Sequence, residues 1–80
     1  MEIRKDVHII EKEADVSTVK FILRDADGVY KINNCRRVAT KPNQVCYSGN
    51  MALESDGIIV EKNVTFWDNL NNTGVLIYQE

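Results

Sequence analysis

Thr18–Asn33 reads TVKFILRDADGVYKIN, and the reading of this stretch decides the fold. Val19, Phe21 and Leu23 alternate with Lys20, Ile22 and Arg24, the period of two that a half-buried strand imposes on its side chains. Asp27-Gly28 interrupts the alternation. This dipeptide suits a type I′ turn, whose two central residues both need positive φ. A turn there pairs Ala26 with Val29 and sets Leu23 opposite Ile32 and Asp25 opposite Tyr30. Val19, Phe21, Leu23, Tyr30 and Ile32 then share one face, whereas a slip of one residue would bring Lys31 opposite Leu23. A β-hairpin with one apolar face is therefore predicted.

The same logic extends along the chain. Asp56-Gly57 is a second hairpin turn; it pairs Ser55 with Ile58, Leu53 with Val60 and Met51 with Lys62. The strand that follows, Ile58 to Trp67, puts Ile58, Val60, Val64 and Phe66 on one face and Ile59, Glu61, Asn63, Thr65 and Trp67 on the other. Lys41-Pro42-Asn43-Gln44 reads as a type I turn with proline at its second position. An N-terminal strand is predicted over Val7 to Glu13, with Val7 and Ile9 inward. A C-terminal strand is predicted over Val75 to Tyr78, where four consecutive apolar residues point to burial on both faces. The only helix expected is a short turn within Gly49 to Ser55. Composition agrees: nine valines and eight isoleucines stand against eight leucines and alanines together, and β-branched side chains favour a pleated surface. The expectation is one all-β domain over residues 1–80, a small antiparallel sheet or barrel of about six to seven short strands.

Composition also narrows function. Ten basic and twelve acidic residues give a net charge of −2, which counts against a general nucleic-acid binder. The longest apolar runs are four residues, far short of the roughly 20 that a membrane-spanning helix needs. The N-terminal stretch alternates charged and apolar residues and has no signal-peptide h-region, so the expected location is the cytoplasm, without membrane association. Two cysteines and one histidine supply fewer than the four ligands of a structural zinc site. The Lys41–Gln44 turn sets Ala39 opposite Cys46 and Cys35 opposite Asn50. Both thiols then lie on one face, about 13 Å apart at roughly 3.3 Å per residue, beyond the ~7 Å reach of a disulfide.

No nucleophile, base and orienting group stand together, so no catalytic residue, metal or cofactor is assigned and the chain is not expected to be an enzyme. His8 reads as a surface residue and Cys46 as a small buried one. The candidate binding residues are Arg36, Arg37, Lys41, Tyr47 and Trp67. Arg36 and Arg37 alternate on a strand, and Arg37 shares a face with Lys41 only if that strand runs unbroken past Thr40. Arginine pairs well with carboxylate or phosphate. Trp67 is predicted to point outward, where tryptophan covers a loop, anchors an oligomer or meets a ligand. The leading expectation is a small non-enzymatic binding protein that acts as a homo-oligomer. It would sequester an anionic small molecule or block a protein partner. The asparagine-rich, proline-poor composition resembles that of small phage or mobile-element proteins. The alternatives are a single-stranded nucleic-acid-binding barrel of the OB or SH3-like type and a virion or other structural assembly component.

Overall fold

Alternating apolar and polar residues produce six strands: β1 (Glu2–Ala14), β2 (Val19–Asp25), β3 (Gly28–Lys41), β4 (Gln44–Ser55), β5 (Ile58–Asp68) and β6 (Thr73–Gln79). The computed structural model describes residues 1–80, the side chain of Ser55 excepted. Each strand pairs antiparallel with the next, and β1 also pairs with β6 from Glu2↔Gln79 to His8↔Thr73, so the sheet closes into a six-stranded barrel. Closure pairs both long edges of every strand over part of its length and removes the free edges of an open sheet. No helix occurs among the described residues, and none is long and apolar enough to cross a membrane. The helical turn expected within Gly49 to Ser55 is instead strand β4. Its ladder with β5 runs without a break from Val45↔Asp68 to Ser55↔Ile58 and takes up the backbone groups that a helical turn would need.

Inward-facing residues fill the barrel. Phe21, Leu23, Ile32, Phe66 and Leu76 are fully buried, with Val7, Cys35, Tyr47, Met51 and Val64 packed around them. The Phe21 ring lies 4.9 Å from that of Phe66 and 5.0 Å from that of Tyr47, tilted or edge-on. Such pairs add about 0.5–1.5 kcal/mol beyond the area they bury. The interior is thus a packed core.

The Asp56-Gly57 hairpin has the register read from the sequence, Ser55↔Ile58, Leu53↔Val60 and Met51↔Lys62, and both turn residues have positive φ, 53° and 79°. The first hairpin differs. Asp25 pairs with Gly28, Leu23 with Tyr30 and Phe21 with Ile32, so the turn is Ala26-Asp27, one residue earlier than predicted. The Asp25 carboxylate is the reason: it accepts hydrogen bonds from the amides of Asp27 (2.8 Å) and Gly28 (3.1 Å) and anchors the turn behind itself. The pairing moves by two positions in total, so the predicted apolar face survives.

Stagger gives the barrel two unlike ends. The connections at 15–18, 42–43 and 69–72 lie at the upper end. The turns at 26–27 and 56–57 lie at the lower end with both chain termini. β3 leaves β4 at Ile32↔Met51 and β6 leaves β5 at Val64↔Tyr78. Residues 52–63 therefore pair only with each other and project as a two-stranded arm, which accords with overall extents of 40 × 27 × 23 Å.

Candidate functional site: a cationic wall beside Trp67

Two bulges in β3 decide which side chains reach the outer wall. Asn33 pairs with Asn50 and Arg36 with Ser48, so β3 gains one residue over β4; Arg37 pairs with Tyr47 and Ala39 with Cys46, so it gains another at Val38. The first bulge holds Asn34 at φ 55°, which asparagine tolerates better than most residues. It also brings β3 so close to β4 that a Cβ on Gly49 would lie 2.6 Å from the Cys35 sulfur and 2.7 Å from the Asn33 carbonyl oxygen. Each bulge reverses the alternation of faces beyond it.

These reversals correct two expectations. Cys35 pairs with Val19 of β2 and belongs to the core, while Cys46 sits on the outer side of the wall between Ala39 and Trp67. The thiols lie on opposite faces, and both are free. The second bulge breaks β3 before Thr40, so Arg37 and Lys41 do not share a face. Arg37 follows Tyr47 toward the barrel interior and, with Tyr47, Thr18 and Asp15, lines a mouth of about 230 Å³ at the upper end. Lys41 turns outward with Arg36.

Tyr47 differs from the other four candidates. It is buried, and its ring packs against Phe21, so its principal role is in the core. Phe66 is inward and Trp67 outward, as the strand alternation predicts. Trp67 is half-buried. The Lys41 Nζ lies 4.9 Å from the centre of its ring, within cation–π range. Beneath them Cys46 is almost fully covered. Its thiol pKa is raised by burial, with the Lys41 charge pulling the other way. Cys35 is pushed up to about 11 by burial. Both thiols are therefore protonated at neutral pH, the opposite of an activated nucleophile. Gln44 donates to the Asn69 side-chain oxygen at 2.8 Å and ties the β3–β4 turn to the β5–β6 connection.

Arg36, Lys41 and Trp67 thus face the same outer side: Trp67 stands in a row with Cys46 and Ala39, Lys41 lies over its ring, and Arg36 lies in a separate row with Ser48 and Thr65. Among the described residues, no carboxylate lies within 4.0 Å of Arg36, Arg37 or Lys41. The ion pairs fall elsewhere, at Arg4, Lys5 and Lys12. Lys12 caps the core from above, 5.8 Å from the centre of the Phe21 ring and 4.0 Å from the buried Asp68 carboxylate. No group of three or more His, Cys, Asp or Glu side chains gathers among the described residues. His8 is exposed on β1, paired with Arg24 on one side and Thr73 on the other.

Sequence reading missed one feature. A groove of about 670 Å³ crosses the outer wall between Glu13, Lys20, Asn33, Asn34, Asn50 and Glu61. In it the Asn50 side-chain oxygen is buried without a hydrogen-bond partner among the described residues. The abundance of asparagine was visible, but only the β3 bulge brings these asparagines together.

Comparison with protein-family models, with curated proteins and with solved structures finds no match to the chain.

Proposed function

We propose that this is a non-enzymatic binding protein that acts as a homo-oligomer and holds an acidic segment of a protein partner against the wall of Arg36, Lys41 and Trp67. The observation that carries the reading is the bulge at Val38, which turns Lys41 onto the face of Arg36 and beside the only tryptophan. One cation over an aromatic ring and a second on the same face, neither with a carboxylate partner among the described residues, suit a carboxylate-bearing surface. The site stands on a strand wall, which fits a protein surface better than an enclosed small anion. Two free cysteines support a cytoplasmic setting, where thiols stay reduced.

Trp67 emission reports directly on this wall. Titration with an aspartate- and glutamate-rich peptide, a single-stranded oligonucleotide and inorganic phosphate separates the partner classes. The peptide is expected to shift the emission and saturate. Arg36→Ala and Lys41→Ala should each weaken it by about tenfold or more, as loss of a charge-assisted contact implies, while Arg37→Ala and Lys31→Ala should have little effect. Equal effects from all four would replace the site with diffuse electrostatics. Saturation by the oligonucleotide alone, with steep weakening by salt, would replace the protein partner with nucleic acid.

A further inference from the structure

The closed barrel has no continuous edge, yet its stagger leaves each long hairpin with a stretch where one neighbour has ended. Most of these stretches carry the features that discourage strand addition. β3 beyond Cys35 has its bulges and Arg36, Arg37 and Lys41. β1 beyond Ile9 has a bulge and the charged run Glu11, Lys12 and Glu13. The free stretch of β4, from Ala52 on, is short and carries Glu54. β1 before His8, free on its β2 side, carries Glu2, Arg4, Lys5 and Asp6, and β3 before Ile32, free on its β4 side, is four residues long with one exposed aliphatic, Val29, and Lys31. β5 has the longest exposed apolar run of these stretches. From Ile58 to Asn63 its β6 side is unpaired, its register with β4 is unbroken, and it opens with three consecutive apolar residues. Ile58, Ile59 and Val60 are 64%, 71% and 43% exposed.

From this edge we infer that two copies of the chain join through β5, antiparallel, about a two-fold axis at Ile59. The inference rests on the homo-oligomer reading above and supplies its surface. The hydrogen-bonding phase permits it. In a two-residue hairpin the residues flanking the turn form a hydrogen-bonded pair and the ladder alternates from there. Ile58 and Val60 therefore turn their backbone groups toward β4, and Ile59 and Glu61 turn theirs outward. With Ile59 on the axis, Ile59 exchanges both hydrogen bonds with Ile59 of the second copy. Ile58 then falls opposite Val60, Glu61 opposite Gly57, and Lys62, whose ammonium donates to the Gln79 carbonyl oxygen of its own chain at 3.2 Å, opposite Asp56, so the apolar residues meet one another and no like charges are opposed. Other registers are worse. An axis at Val60 sets Ile59 against Glu61 and Ile58 against Lys62. An axis at Glu61 places like charges opposite each other. A shift by one residue faces outward groups with inward ones and loses the bonds. A second copy also satisfies the symmetry of the edge, since a two-fold interface uses the same patch twice. The two arms become one four-stranded sheet, β4-β5-β5-β4, that bridges two barrels.

Sedimentation at micromolar concentration tests the inference together with two substitutions at a site too exposed to threaten folding. The wild-type chain is expected to sediment as a dimer. Ile59→Lys places two charges on the axis and should raise the dissociation constant by about a hundredfold or more, with the β circular-dichroism spectrum unchanged. Ile59→Cys should form a covalent dimer on mild oxidation, because a hydrogen-bonded antiparallel pair holds its Cα atoms about 5.5 Å apart, within disulfide range. Ile58→Cys should crosslink far more slowly. A wild-type monomer would overturn the homo-oligomer reading and the interface with it. A wild-type dimer that survives Ile59→Lys, or that crosslinks equally from Ile58→Cys, would overturn the interface and leave the homo-oligomer standing.

Discussion

The Asp25 carboxylate sits at the lower mouth of the barrel, where the Asp27 and Gly28 amides and the Tyr30 hydroxyl (3.0 Å) all donate to it and the Lys5 ammonium lies 3.8 Å away. Burial works against its charged form, but the three hydrogen bonds and the nearby cation outweigh that and hold its pKa below the ordinary value. The same cluster raises Lys5, through Tyr30 first and then Asp27. A carboxyl whose folded-state pKa is depressed adds stability that is complete above about pH 4, the ordinary aspartate value. That stability is lost as pH falls through the folded-state value. Asp25→Ala leaves three donors without their acceptor and is expected to cost about 1–3 kcal/mol at neutral pH. The difference from wild type in urea unfolding should shrink as the pH is lowered below about 4. Asp25→Asn, which keeps an acceptor, should lie between the two. This residue also marks a limit of sequence reading. Asp27-Gly28 carries the stronger turn signal, and nothing in the alternation reveals that a side chain two positions upstream would claim the amides of the turn.

At the scale of elements, both strong hairpin turns announced themselves by composition, and at Asp56-Gly57 the backbone matches the signal down to the positive φ of both residues. Gly57→Ala has open space for its methyl group, so its cost is that of φ 79° for a residue with a Cβ, about 1–2 kcal/mol. Because the arm pairs only with itself, that cost should appear as local opening. Amide exchange at Leu53 and Val60 is expected to quicken by about fivefold or more, with core amides such as Phe66 unchanged. The bulges of β3 were not legible. A bulge adds a residue without any obligatory sequence mark; Arg36-Arg37 interrupts the alternation, but a pair of charged residues does not say where the extra residues fall. That omission is why Phe66 inward, Trp67 outward and the pairings Lys41↔Gln44 and Ala39↔Cys46 could be read, while the faces of Cys35 and Arg37 relative to them could not. Tyr47 falls opposite Phe66 in the register of the Asp56-Gly57 turn, so its inward face is legible, but only closure of the barrel puts Phe21 against it.

For the whole molecule, period-two patterning and β-branched residues sufficed to give an all-strand fold, but barrel closure depends on β1 meeting β6. Those are the residues farthest apart in the chain, from Glu2↔Gln79 to His8↔Thr73. The entropy of bringing them together is spent before their contacts return it, and a topology of this kind folds in milliseconds to seconds. Stopped-flow refolding is expected to show a single phase in that range; microsecond folding would mean that closure is not limiting. The same ladder has a mechanical consequence. Both chain ends leave the barrel at its lower end, joined by a hydrogen bond from the Glu80 amide to the Met1 carbonyl oxygen. A pull on the two termini therefore loads the β1–β6 pairs one after another, as a zipper is opened from its end, and never strains them all at once. A wall that heat must break as a unit can be unfastened by a small steady force, and the direction of pulling, more than the number of bonds, sets its strength.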